Sequence, residues 1–137
     1  RELAERVISL TKEQALVSGA ECIYIEKSDD ILLYADEGQI TQILINLVKN
    51  AIQAEARHIE ITAEINLSEH VIINVTNDGS PISKESQEEI FVPFYTTKQE
   101  GTGIGLSLSR QIMRLHNGTL SLTRSDETST VFTLTFR

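Results

Sequence analysis

The chain is poor in cysteine, in basic residues and in long apolar runs, and each shortage excludes a class of protein. One cysteine, Cys22, stands among 137 residues, so no internal disulfide forms. Its setting in Cys22-Ile23-Tyr24-Ile25 reads as a buried strand position in a reducing compartment, which makes the cytoplasm the expected location. No apolar run approaches the ~20 residues that a bilayer span needs. The opening Arg1-Glu2-Leu3 has neither an initiator methionine nor a signal peptide, as expected of a piece of something longer. Lys and Arg number 12 against 20 Asp and Glu, for a formal net charge of −8, which disfavours a nucleic-acid-binding surface. An anionic ligand would need locally positive ground. The 40% hydrophobic content is ordinary for one soluble domain with one sizeable core.

Glycine is also scarce, yet three of the 7 glycines alternate in Gly101-Thr102-Gly103-Ile104-Gly105, followed by Leu106 and an amphipathic helix expected over residues 107–116. Glycine lets the main chain come within hydrogen-bonding distance of an anion, and the N–H groups and positive dipole end of the next helix attract negative charge. A phosphate is the expected guest. A dinucleotide fingerprint would need its third glycine three residues after the second, and a P-loop would end in Gly-Lys-Ser/Thr; neither pattern is present. A glycine-rich helix entry without a ligand fits the same residues. Ahead of the glycines, Phe91-Val92-Pro93-Phe94 and then Tyr95-Thr96-Thr97-Lys98-Gln99-Glu100 have the composition of an aromatic anchor and a lid. Lys98 is the best-placed cation for terminal phosphates, although a solvated lysine would look the same; Lys49, Arg110 and Arg114 are weaker candidates.

Periodicity organises the rest. Leu3, Val7, Leu10 and Leu16 mark a lead-in helix over residues 2–17, stopped by Ser18-Gly19. Strands are expected at 22–26 and 31–35, and Asp36 has the character of a helix N-cap. Over residues 37–54, Ile40, Ile43, Leu44, Leu47, Val48, Ala51 and Ile52 make one buried helix face. Gln42, Asn46, Asn50 and Gln53 project from another side, three or four residues apart. Asparagine is a poor helix-interior residue, and a carboxamide oxygen is a hard neutral ligand that suits Mg²⁺ when phosphates supply the charge. A solvated polar face is the alternative for this stripe. Strands follow at 58–67 and 71–75, then the turn-rich Thr76-Asn77-Asp78-Gly79-Ser80-Pro81-Ile82, a short polar helix over 83–90, Gly118 as a helix C-cap, and a hairpin of 119–124 with 130–136.

Taken together, these stretches resemble the ATP-binding catalytic domain of sensor histidine kinases, in the superfamily that includes gyrase-type topoisomerases, MutL-type repair proteins and heat-shock chaperones. Asn46-Leu47-Val48-Lys49-Asn50-Ala51 resembles the N box, Asn77-Asp78-Gly79-Ser80-Pro81-Ile82 the first glycine box, Phe91-Val92-Pro93-Phe94 the F box and Gly101–Leu106 the second glycine box, in the family's order. The resemblance implies a two-layer α/β sandwich with a mixed, mostly antiparallel sheet and three main helices on one face, holding ATP under a lid. It implies residues 19–137 as the catalytic domain, with 1–18 continuing a missing dimerisation domain.

Carried over by residue, the resemblance makes Asn50 the Mg²⁺ ligand, with Asn46 facing the phosphates as the catalytic position and Gln53 adding a polar contact. Asn77 takes the place of an aspartate that reads the adenine amino group, since the family pattern Asp-x-Gly-x-Gly here runs Asn77-x-Gly79-x-Pro81. Asp78 is the competing candidate, with a turn-forming role as the plain alternative. Gly79, Ile82, Thr97, Lys98, Gly101, Thr102, Gly103, Ile104, Gly105, Leu106 and Thr130 complete the ATP-binding set. A strand-forming threonine would explain Thr130 equally well.

None of His58, His70 and His116 lies in the family's phosphoacceptor box, so the chain is expected to bind Mg-ATP and pass its γ-phosphate to a histidine on a separate, dimeric domain. A response regulator receiver domain is the indirect partner; nucleic acid and membrane are not expected partners. An ATP-hydrolysing clamp would need a glutamate where Asn46 stands, and asparagine is not a base. A non-catalytic nucleotide scaffold and a serine kinase of the same superfamily are the other readings.

Overall fold

A computed structural model describes residues 2–28, 31, 35–87, 90, 91 and 105–137, and with them nine elements. They are α1 (Glu2–Ser18), β1 (Glu21–Glu26), α2 (Glu37–Gln53), β2 (His58–Ile65), β3 (Val71–Asn77), the single turn α3 (Lys84–Gln87), α4 (Gly105–Leu115), β4 (Gly118–Ser125) and β5 (Thr130–Phe136). The five strands form one sheet in the order β1-β2-β3-β5-β4. β1 and β2 are parallel, because α2 carries the chain back across the sheet between them. Every other pairing is antiparallel.

Strand alternation sets the core. Ile59, Ile61, Ala63, Val71, Ile73, Val75, Phe132, Leu134 and Phe136 all face the helices and are buried. α1 packs on β1 and α2, α2 crosses β3, and α4 lies against α2 and β4. The helical layer therefore runs α1-α2-α4 with α2 in the middle. Asp36 caps α2 as expected, its carboxylate accepting the Gln39 N–H at 2.9 Å. His116, at the end of α4, accepts the Asp36 N–H through Nε2 at 3.1 Å. Its Nδ1 lies 2.9 Å from the Ile112 carbonyl and so carries the proton.

Several expectations need correction. The buried stripe of α1 is Ala4, Val7, Thr11 and Ala15, while Leu10 and Leu16 are 61% and 68% exposed. Small side chains let α1 approach α2 closely where leucines would hold it off. Gly118 opens β4 instead of capping α4; the left-handed residue behind the helix is Asn117, at φ 58°. A Cβ on Gly118 would collide with the Thr135 carbonyl oxygen, so close strand packing, and not a cap, calls for glycine. β3 runs on to Asn77, and the polar helix near 83 is only α3. α4 begins at Gly105, earlier than expected. Cys22 is half-buried, and that burial pushes its thiol up to about 11, away from reactivity. Most of the strand expected at 31–35 lies outside the described residues.

Candidate functional site

The polar side of α2 faces α4. Successive α-helical residues turn by about 100°, so Ile40, Leu44, Leu47 and Ala51 point at the sheet while Asn46 and Asn50 lie to one flank. The Asn46 Nδ2 donates to Ser109 Oγ of α4, and the Gln42 Nε2 donates to Asn46 Oδ1, both at 3.4 Å. Such long contacts hold the carboxamide loosely and leave it able to re-aim. Ser109 is buried and Asn46 and Asn50 are half-buried, whereas Gln53 is exposed at the end of the helix. The stripe is therefore not simply a solvated face: its middle two members are half-buried, and Asn46 reaches α4.

The sheet supplies a second polar pair. Asn77 and Thr130 are paired in register at the ends of β3 and β5, and both are buried, at 6% and 3% exposed. Nothing in the local sequence places them together; the antiparallel register does. Asn77 Oδ1 accepts the Gly79 N–H at 2.8 Å, which spends one lone pair and leaves one acceptor site and the NH₂ group. The following loop is stitched to α2, because the Ser80 N–H reaches the Ala54 carbonyl at 2.8 Å. Ile82 is half-buried against the core, and its N–H donates to Ser125 Oγ at 2.8 Å.

Asp78 points elsewhere. Its carboxylate accepts the N–H groups of Arg57 and His58 at 2.8 and 2.9 Å and lies 2.8 Å from His58 Nδ1. Those bonds clamp the loop to the start of β2. The His58 N–H, then its ring, and also the Arg57 N–H hold this carboxyl down to about 2 from an ordinary 3.8. A depressed carboxylate contributes stability that is present above the unfolded value and lost as pH falls through the folded one. The urea midpoint of Asp78→Asn is therefore expected to fall short of the wild type's by its full difference above about pH 4 and to converge on it toward pH 2. The effect is modest, since the Asp78 side chain is 38% exposed and water screens it.

Arg110, a candidate cation, is committed to an aromatic ring. Its guanidinium carbon lies 4.1 Å from the centroid of Phe91, and Phe91 meets Phe132 edge-on at 6.5 Å and 81°. The beginning of the F box is thus tied to β5 and to α4 at once. Lys49 is exposed on α2 and Arg114 on α4. Leu106 and Gly105 open α4. Thr97, Lys98, Gly101, Thr102, Gly103 and Ile104 lie outside the described residues. Sequence reasoning missed Ser109, Ser125 and Ala54, whose partners stand far away along the chain and leave no local signal.

Among the described residues, no three His, Cys, Asp or Glu side chains gather where they could hold a metal ion. The neutral oxygens of the α2 stripe suit a hard cation that arrives with its own anion. The donor chemistry fits Mg²⁺ shared with phosphate.

The model of the histidine kinase-, DNA gyrase B- and HSP90-like ATPase family matches residues 35–137. The chain is 32% identical over 136 residues to sporulation kinase C of Bacillus subtilis (strain 168), covering 96% of this chain and 31% of that protein. It is 39% identical over 104 residues to sensor histidine kinase ZraS of Salmonella typhi, covering 74% and 22%. It spans less than a third of the length of these curated relatives. The nucleotide-free catalytic domain of histidine kinase ThkA matches with a TM-score of 0.86 and 36% identity, over 98% of this chain and 90% of that one. ThkA in complex with response regulator protein TrrA matches with a TM-score of 0.80 and 34% identity, over 98% and 39%.

Proposed function

Because the chain belongs to the histidine kinase-, DNA gyrase B- and HSP90-like ATPase family and has the fold of a histidine kinase catalytic domain, we propose that it binds Mg-ATP in the groove between α2 and α4. In the longer protein it donates the γ-phosphate to a histidine on a separate, dimeric domain. The observation that carries this reading is the bond from the Ser80 N–H to the Ala54 carbonyl at the end of α2, which joins two sets of residues distant in the sequence: the half-buried carboxamides of α2, with Asn46 on Ser109 of α4, and the paired, buried Asn77 and Thr130 at the sheet's end. One set suits a metal and phosphates, the other a nucleobase edge.

In this reading Asn50 offers its oxygen to Mg²⁺, and Asn46 and Gln53 face the polar end of the nucleotide. The metal, when bound, would neutralise phosphate charge. Asn77 accepts from the adenine amino group with its remaining lone pair, while Gly79 and Ile82 shape the loop beneath the base. Thr97, Lys98 and Gly101–Leu106 take the phosphate-binding role that the resemblance implies. Asn46 provides no base, which favours transfer over hydrolysis. The phosphoacceptor domain and, through it, a response regulator are the partners, as the ThkA–TrrA complex supports. No described helix is long and apolar enough to cross a membrane; the cytoplasm is the location proposed for this domain.

A specific observation favours a second reading, a nucleotide-binding scaffold without transfer: the Asn77 oxygen is already engaged by Gly79, where an aspartate would keep a whole second oxygen free. Titration calorimetry with Mg-ADP, followed by phosphotransfer from the full-length kinase, separates the two. The kinase reading expects one saturable site and a phosphohistidine. Binding without transfer leaves the scaffold, and the absence of heat at millimolar nucleotide in a folded sample rejects both.

A further inference from the structure

The hairpin of β4 and β5 does more than close the sheet. Its turn is organised by Asp126, whose carboxylate accepts the N–H groups of Thr128 and Ser129 at 2.8 and 2.9 Å and the Nε–H of Arg124 at 2.7 Å. That arrangement sets Ser125 opposite Thr130 in register, with their hydroxyl oxygens 3.0 Å apart. Ser125 Oγ also accepts the N–H of Ile82, 43 positions earlier in the chain, at 2.8 Å. On the other side of the same residue, Gln87 Nε2 donates to the Ile82 carbonyl at 2.8 Å. Thr130 in turn stands beside Asn77. One hydroxyl therefore joins the loop that leaves Asn77 to the threonine that is Asn77's register partner.

We propose that Ser125 is a positioning residue for nucleobase recognition, holding Ile82 and Thr130 at a fixed separation on either side of Asn77. The inference rests on the nucleotide site proposed above. Among the described residues, the recorded partners of the Ser125 hydroxyl, Ile82 and Thr130, belong to the base end of the site, so its influence falls on the base and not on the metal. Its hydroxyl serves two partners at once, accepting from the Ile82 N–H while sharing a proton with Thr130. Alanine would leave the Ile82 N–H without its acceptor and Thr130 without its neighbour.

The test is calorimetry of ADP and GDP on the isolated domain, a form in which the catalytic domain of ThkA is itself found, for the wild type, Ser125→Ala and Ser125→Thr. Ser125→Ala is expected to weaken ADP about tenfold, the size expected for one partly buried donor left unpaired, and to shrink the preference for ADP over GDP. Ser125→Thr, which keeps the hydroxyl, is expected to restore both. In the full-length kinase the same loss should appear in the KM for ATP, with kcat at saturating ATP retained. An alanine variant with a lowered melting temperature but unchanged ADP affinity and base preference would make the serine merely structural and overturn the proposal. So would a threonine variant that behaves like alanine. A wild type that binds neither nucleotide would remove the site reading itself, and this inference with it.

Discussion

Gly79→Ala is expected to abolish measurable ADP binding while the domain stays folded. A Cβ at position 79 would lie 2.6 Å from the Ala54 carbonyl oxygen, 2.9 Å from Ala54 Cβ and 3.0 Å from Asn77 Oδ1. The first is backbone at the C-cap of α2 and cannot rotate aside, and it already accepts the Ser80 N–H at 2.8 Å. The loop must therefore lift from α2, taking with it the Gly79 N–H that orients Asn77 and straining the grip of Ser125 on Ile82. Since the core strands do not depend on this contact, the fold survives. The site loses its base end, worth at least about 100-fold in affinity if two hydrogen bonds go. Calorimetry with circular dichroism checks it against Gly38→Ala. There the new Cβ would meet only Asp36 Oδ1, at 3.4 Å, and a helical position gains from alanine. ADP binding by Gly79→Ala within a few-fold of the wild type would mean that the loop is not part of the site.

Asn50→Ala and Leu47→Ala, three residues apart on one helix, are expected to fail in opposite ways. Leu47 is 1% exposed in the core, and its truncation should cost about 2–5 kcal/mol of stability without touching the dependence on Mg²⁺. Asn50 is half-buried on the polar side of α2. Its loss removes a polar contact, offset in part by alanine's better helix propensity, so the melting temperature should move little. Phosphotransfer by the full-length kinase should fall by about 100-fold or more, at the upper end of what loss of even a supporting metal contact costs, with a raised requirement for Mg²⁺. Equal destabilisation by both variants, with the Mg²⁺ dependence unchanged, would make Asn50 structural.

What the amino-acid sequence determined by itself is whatever depends on near neighbours. Helical spacing from Ile40 to Ala51 specifies α2 and its buried face, Asp36 three residues before Gln39 specifies its cap, and alternation specifies β5 as Thr130–Phe136. The order of the boxes pointed to the family for the same reason: each is a short local pattern. Tertiary structure alone decided which stripe of α1 is buried, because Leu10 and Ala4 are both apolar and only the close approach of α2 selects the smaller. It likewise turned Asp78 toward His58, 20 positions away, and Ser125 toward Ile82. Above all it set Asn77 beside Thr130. Periodicity reports the face a residue occupies, but the partner it meets there is fixed by strand register and helix approach, which only the assembled sheet and helical layer define.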